Sequence, residues 1–289
     1  MGVSNTMGRP RAVLLLIIYA SVVAVHGLRG HRESSWTKSS DYLWLIEFIN
    51  LQAAVYTYGY PSGTSHTTVA QDLVRELDIA RSTCSSFKRP VIFLTHGLGG
   101  LIVKEVCCPI HVSPQSKKFQ ALILLATYRE ESHTGILANT RAVFFFGVQH
   151  RGIPGSTLQW AGRLARWTSL YQGRDAEIYP SRNELTRMVE AFAKISSGFE
   201  IFTLIHTLRS GHFDLVVGDP LDNLLGLPNE RVIYINATYA NMCKFSGHED
   251  SDMWKVIEAA RRTTSDLGQD SQTLHWSSDQ LWRLNQEER

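Results

Sequence analysis

The sequence predicts an α/β fold with a mostly parallel central sheet of about six strands and helices on both faces. Short apolar runs that end in glycine or histidine alternate with amphipathic helical patterns, an order typical of parallel sheets. At 289 residues and 44% hydrophobic content, the chain is long enough to bury one large core. The predicted strands are Val22–Val25, Ala54–Tyr58, Val91–Thr95, Val143–Phe146, Ile201–Ile205 and Val232–Ile235.

Helical patterns fall between and after these strands. Apolar residues recur at helical spacing from Val69 to Ala80, between the second and third strands, and Thr68 is the predicted N-cap. Residues Asp252–Arg262 form the predicted last helix. We therefore predict a single domain over residues 12–262, followed by a polar tail over residues 263–289.

The composition argues against several classes of function. Lys and Arg number 29 against 27 Asp and Glu, and the basic residues are scattered, so nucleic acid is not an expected partner. The 4 cysteines show no metal-ligand spacing, and Cys107 and Cys108 are adjacent, which suits neither a metal site nor a disulfide framework. We predict no metal and no cofactor, in a reducing compartment.

The N-terminal region resembles a secretory signal, because Arg9 and Arg11 precede an apolar run over residues 12–25. That run ends in β-branched residues followed by His26 and Gly27, which is the pattern of a buried strand and its turn. Cleavage there would delete a core strand, so we interpret the run as a strand. It is also too short for a transmembrane helix, which needs about twenty apolar residues.

Residues 106–120 interrupt a helical pattern. The helix that begins at Leu98 meets Pro109, which must end it, and a second helical pattern begins at Ala121. Joining Glu105 directly to Ala121 would give one continuous helix. The segment is therefore predicted to be an insertion or a retained intron, and a natural surface loop is the alternative. A spliced transcript that always encodes the segment would exclude the intron.

The third predicted strand leads into a glycine-rich turn and then a helix, over residues Thr95–Gly100. This is the arrangement of the nucleophile elbow of the α/β-hydrolase fold, usually written G-x-S-x-G. Gly97 stands at the serine position and Thr95 at the first glycine position. A phosphate site is not predicted, because the sequence has neither a P-loop nor a G-x-G-x-x-G motif.

A second loop supports this fold assignment. His26, Gly27 and Leu28 follow the first strand, where α/β-hydrolases place the loop that gives one N–H of the oxyanion hole. The other N–H comes from the residue after the nucleophile. We therefore predict the amides of Leu28 and Leu98 as oxyanion donors, with His26 and Gly27 in a pocket loop.

Two further histidines lie near the predicted pocket. His96 directly precedes the serine position, and His150 lies in an HRG turn after the fourth strand. We predict that both side chains pack or form hydrogen bonds around the pocket rather than act on a substrate.

Six blocks in order carry a resemblance to a known family: VVAVHGLRGHRESSWT, YTYGY, RPVIFLTHGLGGLIVKE, FFFGVQHRG, LGLPNERV and NATYANMCKF. From Val22 to about Val256, the sequence resembles fungal and animal serine-esterase-like hydrolases of the serine active site-containing protein type. Related modules stand at the N-terminus of fungal repeat proteins. The resemblance implies an α/β-hydrolase fold, an ester or lipid substrate and a cytosolic, mitochondrial, endoplasmic-reticulum or membrane-associated location.

The family's chemistry resembles the Ser-His-acid triad. Carried over by position, the serine falls on Gly97, the histidine on Tyr239 and the acid on His206, with Asp219 as the alternative acid. A tyrosine cannot serve as a base near neutral pH, because the reference pKa of its phenol is about 10. The resemblance therefore predicts a serine hydrolase scaffold whose triad is broken.

Three functions follow from these observations. The first is a catalytically degenerate serine esterase or lipase homologue that keeps an ester or lipid pocket. The second is an active carboxylic-ester or lipid hydrolase. The third is a non-catalytic interaction module that binds a protein partner.

Overall fold

The computed structural model describes residues 19–38, 42–61, 63–82, 89–107, 136–150, 182–209 and 220–265. Within them, six strands form one sheet in which every neighbouring pair is parallel. These strands are β1 (Ala20–Val25), β2 (Ala53–Tyr58), β3 (Val91–His96), β4 (Thr140–Phe146), β5 (Glu200–His206) and β6 (Glu230–Ile235). Each predicted strand lies within an observed one, so the predicted sheet is confirmed.

Helices cover both faces of this sheet, as predicted. They are α1 (Glu47–Asn50), α2 (His66–Ser82), α3 (Leu98–Cys107), α4 (Ile136–Asn139), α5 (Arg182–Ile195) and α6 (Ser251–Ser265). Alternate strand residues point to opposite faces, so Val143 and Phe145 pack with α2, α3 and α5. Phe144 and Phe146 pack on the other face with α1 and α6.

The strand order is β2-β1-β3-β4-β5-β6. The chain leaves β1 toward β2 on one side, and its next strand, β3, lies on the other side of β1. Such a reversal opens a crevice at the carboxyl ends of the two strands, where α/β proteins bind ligands. The fold therefore places the loops after β1 and β3 side by side.

The strand interpretation of the N-terminal apolar run is confirmed for its last part. Residues Ala20–Val25 are at most 5% exposed and pair with β2 on one side and β3 on the other. Residues 1–18 lie outside the described residues. In the part of the chain that the structure describes, no helix has the length and apolar character needed to cross a membrane.

Two predicted helix boundaries are corrected. Helix α2 begins at His66, and the Ser65 hydroxyl accepts the amide of Thr68 at 3.2 Å, so Ser65 rather than Thr68 gives the capping oxygen. Helix α6 continues to Ser265, into the predicted tail.

Val106 and Cys107 complete α3, so the first residues of the predicted insertion are helical. Residues 108–120 and 266–289 lie outside the described residues, and the insertion and tail stay predictions.

The turn before β6 is organised by one carboxylate. Glu230 accepts the amides of Leu225, Gly226 and Leu227 at 2.9, 2.7 and 3.4 Å, and it also accepts the hydroxyl of Thr203 on β5. Backbone amides bound to a charged acceptor form some of the stronger hydrogen bonds in proteins. Glu230 therefore fixes the entry of β6 against β5, the two strands that lead to His206 and toward Tyr239.

We expect Glu230→Ala to lower the free energy of unfolding by about 1–2 kcal/mol, because three amides and a hydroxyl lose their acceptor. Glu249→Ala, which removes an exposed carboxylate, is the matched control and should change stability by less than about 0.5 kcal/mol. Urea unfolding followed by circular dichroism measures both. Equal losses in the two variants would contradict the assigned role of Glu230.

Candidate active site

Strand β3 and helix α3 are joined by one residue, Gly97, whose φ of +49° lies in the left-handed region. Its amide donates to the Phe146 carbonyl at 3.1 Å, which ties the turn to the end of β4. Thr95, at the first glycine position of the motif, is buried and donates its hydroxyl to the Phe144 carbonyl at 2.9 Å. The structure therefore contains the sharp strand–turn–helix of an elbow, with glycine at its apex.

The first turn of α3 packs directly on the end of β1. A Cβ at Gly99 would lie 2.4 Å from the Val25 carbonyl oxygen and 2.6 Å from that of His26. A Cβ at Gly100 would lie 2.4 Å from a methyl carbon of Val148. Gly99 is therefore required for close packing on the backbone after β1, and Gly100 for packing against the Val148 side chain after β4.

Two backbone amides beside the elbow are available to a ligand. The amides of Leu28 and Leu98 donate to no acceptor among the described residues. Leu98 is the first residue of α3, and Leu28 lies in a tight turn closed by the Gly30 amide on the Gly27 carbonyl at 3.0 Å. The turn after β1 and the first residue of α3 thus have N–H groups at the positions where the sequence predicts oxyanion donors.

Tyr239 fills the space into which a serine side chain would project. A Cβ at Gly97 would lie 2.5 Å from Tyr239 Oη, and a Cβ at Gly147 would lie 2.7 Å from Tyr239 Cε2. Gly147 directly follows β4 and has a φ of +56°. The tyrosine therefore lies across two positive-φ glycines, and any larger residue at position 97 would require Tyr239 to move.

The predicted triad positions converge. His206 is the buried last residue of β5, and its ring centroid lies 5.9 Å from that of Tyr239 in an edge-to-face arrangement. The ring of His96 lies on Tyr239 at 4.8 Å. Gly97, Tyr239 and His206 thus meet around one phenol. Asp219, the alternative acid, lies outside the described residues.

His96 is held in its neutral form. Burial lowers the pKa of His96 to about 4, although a hydrogen bond to the backbone of Tyr239 opposes this shift. The Nε2 atom of His96 is buried and has no hydrogen-bond partner among the described residues. At neutral pH a neutral imidazole ring therefore packs against the Tyr239 ring.

His26 anchors the pocket loop. Its Nδ1–H donates to the Gly27 carbonyl at 2.7 Å, its Nε2 accepts the Tyr60 amide at 3.4 Å, and the two rings stack at 4.3 Å. The Tyr60 hydroxyl donates to the His26 carbonyl at 2.8 Å. Burial lowers the pKa of His26, consistent with a neutral ring that satisfies both contacts. His26 therefore has a structural role in the loop that carries Leu28.

His150 anchors the loop after β4 to α3. Its Nδ1 accepts a hydrogen bond from the Lys104 ammonium, and Lys104 is wholly buried, with Nζ 5.5 Å from the ring centroids of Phe145 and Phe192. Lys104 was not predicted from the sequence. The available indication was the adjacent charged pair Lys104-Glu105 inside a mostly apolar helix, where lysine is buried only with partners.

A metal centre and a cysteine nucleophile are the other two kinds of site to consider among the described residues. They contain no cluster of His, Cys, Asp and Glu side chains that could hold a metal ion. Cys107 and Cys243 are buried and form no disulfide among the described residues, and burial raises the pKa of Cys243 well above its usual range. A thiol with a raised pKa carries little nucleophilic thiolate. The converging loops around Tyr239 therefore form the candidate site.

Solved structures share this architecture. A lipase from Bacillus licheniformis superposes with a TM-score of 0.55 at 15% identity, covering 84% of this chain and 92% of its own. Esterase B from Lactobacillus rhamnosis gives 0.51 at 14% identity, covering 88% and 80%. The peroxisomal α/β-hydrolase Lpx1 from Saccharomyces cerevisiae gives 0.51 at 8% identity, covering 94% and 85%. With the six-stranded parallel sheet and the elbow, they establish the α/β-hydrolase fold for this chain.

A curated protein extends the comparison to sequence. The chain is similar to Protein SERAC1 of Bos taurus, with 23% identity over 257 residues that cover 78% of this chain and 36% of the relative. The chain thus spans about a third of that relative's length. This similarity agrees with the resemblance carried by the six sequence blocks. No family model matches the chain.

The contact between position 97 and the Tyr239 hydroxyl can be measured by a mutant cycle. We expect Gly97→Ala to cost about 1–3 kcal/mol more in the wild-type background than in a Tyr239→Phe background. The reason is that the added Cβ would lie 2.5 Å from Oη but 3.8 Å from Cζ, an ordinary contact once the hydroxyl is gone. Backbone strain at the positive φ is common to both backgrounds and cancels. Identical costs in urea unfolding would contradict the steric coupling.

The lowered pKa of His96 predicts an acid-side loss of stability. Between pH 6.5 and about 4 the unfolded chain takes up a proton at His96 that the folded chain does not. The free energy of unfolding therefore falls as pH falls through this window, by on the order of 3 kcal/mol in total. His96→Gln should flatten this part of the pH profile, measured by urea titration at each pH. A variant profile parallel to that of the wild type would show that His96 is not the cause.

Proposed function

We propose that this protein is a degenerate serine ester hydrolase, which keeps a pocket for an ester or acyl lipid but has lost serine-type hydrolysis. The observation that carries the proposal is the placement of the Tyr239 hydroxyl over Gly97, where a serine side chain would project. The nucleophile position has no side chain, and the base position holds a phenol that fills the resulting space.

Two observations support retention of the pocket. The amides of Leu28 and Leu98 remain without acceptors among the described residues, as an oxyanion hole requires. They also lie at the crevice between β1 and β3, the usual ligand position in such sheets. The solved structures with this fold include a lipase and an esterase, which favours an ester or acyl lipid over other ligand classes.

The expected loss of activity is large. Removing the serine or the histidine of a triad costs roughly a millionfold in kcat, whereas the oxyanion hole and binding retain about a thousandfold over water. The donors are in place here, but the attacking group and its base are both replaced. Steady-state ester hydrolysis by the wild type should therefore exceed the uncatalysed background by no more than about a thousandfold, roughly a millionfold below an intact triad.

An active ester or lipid hydrolase is the second candidate, favoured by the esterase and lipase likeness of the fold. It requires a nucleophile outside position 97. A protein partner and a cytosolic, mitochondrial or endoplasmic-reticulum location, which the family resemblance implies, stay predictions.

Restoring the triad positions tests the proposal directly. We expect the triple variant Gly97→Ser, Tyr239→His, His206→Glu to hydrolyse p-nitrophenyl butyrate at least roughly a hundredfold faster than the wild type. This figure is the lower end of what a positioned general base contributes to a rate. Tyr239→His is essential, because a serine beside the tyrosine hydroxyl would meet the contact described above. Gly97→Ser alone should therefore remain inactive and lose stability.

The matched control replaces only the nucleophile, as Gly97→Ala in the same Tyr239→His, His206→Glu background, and should show no gain. Steady-state turnover by the wild type that survives Gly97→Ala would favour the second candidate, an active hydrolase with another nucleophile. A folded triple variant without activity would show that the pocket has decayed along with the triad.

A further inference from the structure

We propose that the Tyr239 hydroxyl is an acceptor site for acyl and phosphonyl groups, which it takes up once, from an activated ester or fluorophosphonate bound at the elbow. The inference rests on the ester pocket of the proposed function and adds a reacting atom to it. It makes the protein a single-turnover acceptor at tyrosine rather than a hydrolase.

The position of the phenol oxygen carries the inference. Oη lies 2.5 Å from the Cβ position of residue 97, and a serine Oγ would stand about one bond length from that same Cβ. The nearest other atom to that Cβ position outside Tyr239 is the Gly27 Cα, at 3.9 Å. The phenol oxygen therefore occupies the region from which an elbow nucleophile attacks, beside the first amide of α3 and the loop of Leu28.

The surroundings of the phenol suit a proton transfer. The rings of His96 and His206 flank Tyr239 at 4.8 and 5.9 Å, from β3 and β5 respectively. His96 is neutral at neutral pH and has a buried Nε2 without a hydrogen-bond partner among the described residues. His96 Nε2 makes no hydrogen bond to the phenol in this structure, so it takes up the phenolic proton only if the two neighbouring rings shift when the ester binds, as catalytic hydrogen bonds often tighten on binding.

Other described phenols lack this combination. The Tyr42 hydroxyl donates to the Glu47 carboxylate, and burial and that hydrogen bond raise its pKa. The Tyr58 hydroxyl donates to the Val69 carbonyl at 3.2 Å, and burial raises its pKa to about 12. Tyr234 is 56% exposed on the edge strand β6, away from the elbow turn, so it reports the reactivity of a solvent-exposed phenol.

The reaction balances without a further reactant. The phenol oxygen attacks the carbonyl carbon of the ester, the carbonyl oxygen is stabilised by the two amides, and the bond to the leaving oxygen breaks. The phenolic proton passes through an imidazole to the leaving alkoxide or aryloxide, which departs as the alcohol or phenol. With a fluorophosphonate, a P–O bond forms, the P–F bond breaks and HF leaves.

The product is expected to persist. In a serine hydrolase, the triad histidine activates the water that cleaves the acyl-enzyme. Here the residue at the histidine position is the acylated tyrosine itself, and the imidazole that remains beside it, His96, has a buried Nε2 that water cannot reach without displacing its neighbours. The protein therefore accumulates an acyl-tyrosine and does not turn over.

The experiment treats the full chain with p-nitrophenyl butyrate or a biotinylated fluorophosphonate at neutral pH, followed by intact-mass and peptide-mapping mass spectrometry. We expect one adduct per chain at Tyr239, formed roughly a hundredfold faster than at Tyr234. This ratio is the lower end of what one oxyanion donor contributes to a rate. Tyr239→Phe removes only the hydroxyl and should abolish the fast adduct, whereas Tyr234→Phe should leave it unchanged. A thermal melt of each variant confirms that it is folded.

Labelling of Tyr234 at a rate equal to that of Tyr239, or an unchanged adduct in Tyr239→Phe, would overturn the inference. Absence of any adduct at Tyr239 in folded protein would overturn it as well, and would leave the proposed degeneracy standing. Steady-state release of p-nitrophenol without a persistent adduct would instead contradict the proposed function. The mass spectrum and the turnover assay thus separate the two failures.

Discussion

The contact between Tyr239 and the elbow glycine is the constraint on which the interpretation of this site depends. In a nucleophile elbow, the serine side chain is exposed at the turn and faces a histidine, which is shorter than a tyrosine. Here the phenol reaches into that space, and Oη lies 2.5 Å from the Cβ position of residue 97. The same ring covers Gly147, at the end of the next strand. One side chain thus closes the position at which the fold usually reacts.

The sheet explains why a single residue can have this effect. In a parallel sheet, the carboxyl ends of all strands meet along one edge, and the strand reversal between β1 and β3 opens that edge. His26 follows β1, His96 ends β3 and His206 ends β5, while Tyr239 comes from the segment after β6. Residues far apart in sequence therefore surround one phenol, because the sheet brings the ends of their strands to the same edge.

Periodicity and glycine spacing are local properties, and they predicted the six strands and the elbow. Positions 97, 206 and 239 were predicted from the family resemblance instead. The sequence did not predict the buried Lys104, whose partner His150 lies on another loop. It also did not predict that Tyr239 would fill the serine space. The substitutions at residues 97 and 239 were predicted as paired losses from a triad, and the distance between them shows that they are also one steric unit. A cap at Ser65 was missed because Thr68 offered the same chemistry.

The steric unit limits which residues positions 97 and 239 can hold together. With the ring as it stands, a serine at position 97 would place its Cβ 2.5 Å from the Tyr239 hydroxyl, so the ring or the turn would have to shift. A glycine at position 97 needs no such shift. Gly97 and Tyr239 therefore fit each other as a pair, and a serine restored at position 97 is accommodated best when the residue at position 239 is shorter.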